Sequence, residues 1–211
     1  MRCFLLLGLL GACIGPDAST PPDLSTATVE TLATDLRFTE GPAWLPGKNA
    51  LVFSDIPAGR LLLWSEAGGV ELLREAPQPN GNLLSASGAL LTCRHGARDL
   101  VREEPDGTLT VLADRYDGRR FNSPNDLVEG DDGVLWFTDP PWGLPGQTEG
   151  RELPFNGVYR LDPADGTVDL LLDGLCMPNG VALSPDGATL YVADTGGHPS
   201  HPVEELREGP A

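Results

Sequence analysis

Short apolar runs, each closed by a polar or charged residue, recur along the chain. They are Leu51–Asp55 (LVFSD), Leu90–Arg94 (LLTCR), Leu135–Asp139 (LWFTD) and Leu190–Asp194 (LYVAD), spaced 39, 45 and 55 residues apart. A turn signal precedes each: Pro46-Gly47-Lys48-Asn49, Ser87-Gly88, Asp131-Asp132-Gly133 and Pro185-Asp186-Gly187. Apolar runs this short, bounded by Gly, Pro, Asn and Asp, read as strands and not as helices. Two further strand-like segments follow each of the first three runs: 60–64 and 70–73, then 99–102 and 109–112, then 157–161 and 168–172. Each unit offers about four short strands in roughly 40–45 residues, the period and strand count of a propeller blade. A parallel β-helix has much shorter coils, and a sandwich needs no such recurrence. The longest spacing carries an insertion around Pro140-Pro141-Trp142-Gly143-Leu144-Pro145-Gly146.

The expected fold is all-β, with about three and a half to four blades present. Propellers close on about 4–8 blades, so this ring is expected to be open, with strand edges left unpaired. Composition agrees: Gly (26) and Pro (20) are abundant and aromatics are sparse at 6%, which suits many turns and disfavours long helices. The net charge of −17 excludes a phosphate-backbone partner and reads as a solvated acidic surface.

Before the first unit the pattern changes. Arg2 precedes an apolar stretch, Phe4-Leu5-Leu6-Leu7-Gly8-Leu9-Leu10, too short to span a bilayer, which needs about 20 residues. Leu10-Gly11-Ala12-Cys13 resembles the lipobox of bacterial lipoproteins, in which the cysteine is acylated and becomes the new N-terminus. The expectation is a signal peptide over 1–12, then a lipid-anchor cysteine (Cys13) and a Pro/Ser/Thr-rich tether over 13–28. The incomplete propeller follows over 29–211. That places the mature protein outside the cytoplasm, in the periplasm, held to a membrane by its lipid. Cys93 and Cys176 are expected to be two separate buried thiols, although an oxidising compartment permits a disulfide.

Each unit also carries a polar group ahead of its central run. These are Glu40-Gly41-Pro42, Pro79-Asn80-Gly81, Asn122-Ser123-Pro124-Asn125-Asp126 and Pro178-Asn179-Gly180. Any one of them alone is a common turn sequence. Their recurrence in phase with the blades is the signal, because equivalent positions of successive blades converge at one mouth of the central channel. Carboxylate and amide oxygens together suit Ca²⁺ or Mg²⁺, and zinc is less obviously served. His95, alone after the second run, reads as a structural histidine before a ligand or an acid–base group. Neither a Gly-x-Ser-x-Gly elbow nor a Gly-rich phosphate loop occurs.

Glu40-Gly41-Pro42-Ala43-Trp44, Asn122–Asp126 (NSPND), Trp136–Gly143 (WFTDPPWG), Pro178-Asn179-Gly180 and Leu190–Thr195 (LYVADT) resemble, in order and in register, the gluconolactonase family that includes regucalcin. The resemblance implies a six-bladed propeller with one divalent cation in its channel, Ca²⁺ first and Mg²⁺ or Zn²⁺ as alternatives. By motif, Glu40, Asn125 and Asn179 match its metal ligands, and Arg120 resembles its substrate-side arginine; Asn80 is a candidate to line the substrate pocket. The implied activity is hydrolysis of a sugar-acid lactone, a small cyclic ester, by a cation-activated water. The family's catalytic Asp motif would fall past Ala211. A non-catalytic propeller remnant or binding protein therefore stays open, as does another propeller arylesterase.

Overall fold

The computed structural model describes residues 27–196, and there the repeat becomes a series of antiparallel sheets. The first blade is β1 (Thr39–Leu45), β2 (Ala50–Asp55), β3 (Arg60–Ser65) and β4 (Gly69–Glu75) in that spatial order. The second is β5 (Pro79–Leu84), β6 (Leu90–Arg94), β7 (Asp99–Glu103) and β8 (Leu109–Ala113). A small hairpin, β9 (Arg115–Tyr116) and β10 (Arg119–Arg120), leads to the third blade. That blade is β11 (Leu127–Glu129), β12 (Leu135–Asp139), β13 (Gly157–Asp162) and β14 (Thr167–Leu172). A fourth unit contributes β15 (Pro178–Leu183) and β16 (Leu190–Asp194). The all-β, partial-propeller expectation holds. The signal segment, Cys13 and the chain beyond Gly196 lie outside the described residues. Among the described residues no helix is long and apolar enough to cross a membrane.

Burial explains why the second strand of each blade is the apolar one. All six residues of β2 are buried, whereas most of β4 is exposed. The same decline runs from β12 to β14. First strands face one another: β1 lies against β5, β5 against β11 and β11 against β15. They line the axis, and the fourth strands face solvent.

Side chains sandwiched between blades make the core. Leu45, Val52, Leu61 and Leu90 pack blade one on blade two. Leu91, Cys93, Leu100, Phe121, Phe137, Tyr159 and Leu161 form the larger cluster between blades two and three. Phe121 meets Phe137 edge-on at 5.1 Å, and Tyr159 stacks on Phe137 at 5.1 Å. Each of these fully buried side chains contributes about 2–3 kcal/mol by transfer from water. The insertion between β12 and β13 adds Leu144 and Leu153 to the buried set, so the 55-residue spacing buries apolar surface of its own. Cys93 and Cys176 are both buried, lie in different blades, and are not bonded to each other.

The residue that closes each apolar run has a mechanical task. Asp55 accepts the backbone N–H groups of Arg37 and Phe38 (3.3 and 3.2 Å). Asp139 accepts those of Asn122 and Ser123 (2.8 and 2.7 Å), and Asp194 those of Cys176 and Met177 (2.9 and 2.8 Å). Each carboxylate latches the chain entering its blade to the blade's second strand. Blade two has Arg94 there instead, forked onto Asp99 at 2.7 and 2.5 Å. The entering residue is Pro77, which has no N–H to give, and its carbonyl accepts from Gly96 N–H (3.0 Å).

Candidate functional site at the inner strand ends

The polar groups ahead of each run sit at irregularities in the first strands. The pairing of β1 with β2 slips between Glu40 and Ala43, that of β5 with β6 between Pro79 and Asn82, and that of β15 with β16 between Pro178 and Val181. In blade three the strand begins at Leu127, and Asn125 and Asp126 stand just before it. There Asn125 N–H donates to the Thr138 carbonyl (2.8 Å). A bulge re-aims side chains that a regular strand would send to alternate faces. The same break in successive blades gives Glu40, Asn80, Asn125 and Asn179 equivalent places along the axis.

Close backbone approach demands the small residues between them. A Cβ on Gly81 would stand 2.6 Å from the Asn125 carbonyl oxygen and 2.8 Å from Asp126 Cα. Gly41, at φ +56°, is similarly pressed against Asn80 and Gly81. Gly81 N–H donates to the Asn125 carbonyl at 2.8 Å, joining blades two and three at this level. Hydroxyls clasp the other junctions: Ser54 Oγ donates to the Asn80 carbonyl and Thr138 Oγ1 to the Asn179 carbonyl, both at 2.6 Å. Asn82 Nδ2 reaches the Gly41 carbonyl and Ser54 Oγ, each at 2.9 Å.

Asp126 is the residue that sequence reasoning missed. It occupies the place held by Gly41, Gly81 and Gly180 in the other units. Its Oδ2 accepts Val181 N–H at 3.0 Å, so it reaches across to the fourth unit. Burial raises its carboxyl above the usual range, against the lowering effect of the Val181 and Leu127 N–H groups. Burial also raises Glu40, the Gly41 N–H opposes this, and the charge of Asp126 raises it further. Among the ion pairs of the described residues none includes Glu40 or Asp126. Two partly buried carboxylates thus oppose each other without a basic partner, a setting that favours a cation.

His95 lies inside the cluster. Its Nε2 is 2.8 Å from Asn80 Nδ2 and 3.4 Å from Asn125 Nδ2. Burial lowers its pKa to about 4, so the ring is neutral near pH 7. His95 is buried and hydrogen-bonded, as expected of a structural histidine, and it also touches two of the predicted site residues. Arg120 stands apart. Its Nη2 donates to the Ala97 carbonyl (2.5 Å) and its N–H to Glu152 (2.7 Å), and among the described residues no hydrogen bond joins it to Glu40, Asn80, Asn125 or Asn179. Asn122 is a core clamp, with Nδ2 donating to the Asp139 and Phe155 carbonyls (3.1 and 2.8 Å).

The donor set is oxygen-rich: carboxylates at Glu40 and Asp126, amides at Asn125 and Asn179. Among the described residues no group of three or more His, Cys, Asp and Glu side chains gathers to hold a metal ion, so a cation here would depend on the asparagine amide oxygens beside the carboxylates. These residues fit a hard divalent cation. A cleft of about 930 Å³ lies elsewhere, between blades one and two at the far ends of β1 and β5, lined by Leu45, Lys48, Leu84 and Arg102 among others. It includes none of the predicted site residues.

Residues 38–199 match the family model described as the SMP-30/Gluconolactonase/LRE-like region. The chain belongs to this family. It is 37% identical over 196 residues to the gluconolactonase of Zymomonas mobilis, covering 85% of this chain and 53% of that protein. It is 30% identical over 167 residues to the pentonolactonase XacC of Haloferax volcanii, covering 77% of this chain and 51% of the relative. Among solved structures, a Xanthomonas campestris gluconolactonase matches with a TM-score of 0.73 at 42% identity, over 80% of this chain and 58% of that one. A regucalcin from Agrobacterium tumefaciens, described as calcium-binding, shares the fold (TM-score 0.60, 22% identity) over 78% of this chain and 53% of that one. The chain spans about half the length of the relatives it matches.

Proposed function

We propose that this protein hydrolyses a sugar-acid lactone with the help of one divalent cation, Ca²⁺ first, held by Glu40, Asn125 and Asn179. The observation that carries the reading is the phase-locked set of breaks at the starts of the first strands, which lines up a carboxylate and three amides beside a second carboxylate, with no basic side chain paired to either among the described residues. When bound, such a cation polarises an ester carbonyl and lowers the pKa of water. Glu40 and Asn179 would hold it from opposite ends of the described arc, and Asn125 from between them. Asp126, anchored by Val181 N–H and raised by burial, is suited to take a proton from water. Asn80 would meet the hydroxyls of the sugar acid, and Arg120 would join it only on releasing the Ala97 carbonyl. The gluconolactonase and pentonolactonase among the relatives support the substrate class.

Acid release from D-glucono-1,5-lactone tests this reading. Hydrolysis above the spontaneous rate should vanish in chelator and return with Ca²⁺, and Glu40→Gln should lower kcat/KM by about 100-fold or more. Chelator-resistant hydrolysis, or an active Glu40→Gln variant, contradicts it. The lipoprotein reading joins the proposal: Cys13 would anchor the protein at the membrane facing the periplasm. A Cys13→Ser variant should then leave the membrane fraction, and its retention there would overturn the anchor.

A further inference from the structure

Two side-chain amides from different blades converge on one imidazole nitrogen. His95 Nε2 faces Asn80 Nδ2 at 2.8 Å and Asn125 Nδ2 at 3.4 Å, and all three residues are 4% exposed. The residue is itself gripped. The backbone N–H of His95 donates to the Gln78 carbonyl at 2.9 Å. A Cβ on Gly143 would stand 2.6 Å from His95 Cβ and 2.7 Å from Ser123 Cβ, so the insertion closes directly over the ring. Gly143 N–H is tied to Ser123 Oγ at 2.9 Å, which holds that lid segment down.

A carboxamide is nearly the same shape with its oxygen and nitrogen exchanged, so packing alone does not choose between the two flips. The choice matters here, because a cation or a polarised carbonyl distinguishes a lone pair from an N–H. The Nδ2 contacts correspond to the Nδ1–H tautomer of His95, in which Nε2 bears a lone pair that accepts an N–H and rejects a carbonyl oxygen. Nε2 therefore selects the NH₂ end of each amide and turns each Oδ1 away from the ring.

We propose that His95 is a positioning residue that fixes the flip of Asn80 and Asn125, so that the channel is presented with amide oxygens and not with amide hydrogens. The inference rests on the reading of Asn125 as a cation ligand. His95 itself touches neither cation nor lactone. Its effect is on which atoms the two asparagines offer, and it couples the substrate-side Asn80 to Asn125 through a shared acceptor.

Replacing the acceptor while keeping or removing its lone pair tests the proposal. His95→Gln can place Oε1 near the position of Nε2, whereas His95→Leu offers no acceptor. Calorimetric titration with Ca²⁺ should show affinity within about 3-fold of wild type for His95→Gln and at least about 10-fold weaker for His95→Leu, the usual scale for groups that orient a ligand. Equal Ca²⁺ affinity in wild type and His95→Leu overturns the proposal. So does equal weakening in both variants when both melt like wild type without cation. Should His95→Leu not fold, His95→Asn takes its place, since its shorter side chain retreats from both amides. If wild type takes up no Ca²⁺, the proposed function fails, and the side-chain amide resonances of Asn80 and Asn125 decide the inference separately. Both should move in His95→Leu and return in His95→Gln; resonances that stay put in all three proteins overturn it.

Discussion

Blades one and three are built alike, and blade two is not. In the first and third, and again at β16, an aspartate at the end of the second strand catches two backbone N–H groups of the incoming chain. In blade two that aspartate is Arg94, neutralised by Asp99 within its own hairpin, and the next residue is His95. The same blade brings Pro77 into the entering segment and lacks the hydroxyl that Ser54 and Thr138 supply, having Cys93 in that register. The regular blades spend their second-strand ends on holding themselves together. Blade two gives up that latch and places an imidazole against two asparagines of the candidate site. A departure from a structural repeat, when its neighbours keep the rule, marks where a blade serves something other than its own closure.

The largest effect is expected at the level all blades share. Gly81→Ala drives a Cβ into the Asn125 carbonyl at 2.6 Å and should cost about 3 kcal/mol or more, seen as loss or strong weakening of the denaturant transition. Gly180→Ala, whose nearest contact is Asp126 Oδ2 at 3.8 Å, should stay within about 1 kcal/mol of wild type.

Next comes the latch. Asp139→Ala strands two buried N–H groups and should destabilise by about 3 kcal/mol in urea unfolding. Arg94→Ala removes a side chain that still reaches solvent and should cost less, about 1–2 kcal/mol. Arg94→Asp should not rescue it, because, of the two entering residues, Pro77 has no N–H to donate and the new carboxylate would face Asp99.

The imidazole sets a pH signature of comparable or smaller size. Burial lowers the His95 pKa to about 4 in the folded chain, against about 6.5 unfolded. Its contribution is present above about pH 6.5 and is lost as pH falls toward 4, by up to roughly 3 kcal/mol. The stability difference between wild type and His95→Gln should therefore shift in favour of the variant as pH falls through that window. A pH-independent difference would show that the ring is not held neutral. A last effect is expected for Thr138→Val, which deletes the clasp to the Asn179 carbonyl and the acceptor of Asp126 N–H, and should cost about 1–2 kcal/mol.

The strands were legible because propeller blades repeat locally. Leu51–Asp55 and its successors announce themselves by an apolar run behind a turn, and nothing distant is needed to recognise them. The site was legible only in part. Glu40, Asn80, Asn125 and Asn179 stood out by phase, yet the bulges that aim them leave no trace in the residue pattern beyond Gly and Pro. Asp126 closes the Asn122–Asp126 motif, and its standing where the other units have glycine is legible once the units are aligned. His95 looked solitary because its partners lie 15 residues before it and 30 after it. Only the stacking of blades unites them. Arg120 was assigned by motif, and its guanidinium is engaged with Ala97 in the described structure.

The central claim is that the inner strand ends hold a cation through Glu40 and the asparagines. Thermal unfolding of wild type and Glu40→Gln, each with and without millimolar CaCl₂, tests it most directly, since a cation that binds only the folded chain must raise its melting temperature. The melting temperature should rise clearly for wild type and little or not at all for Glu40→Gln. A wild-type transition indifferent to Ca²⁺, or an equal rise in both proteins, would contradict it.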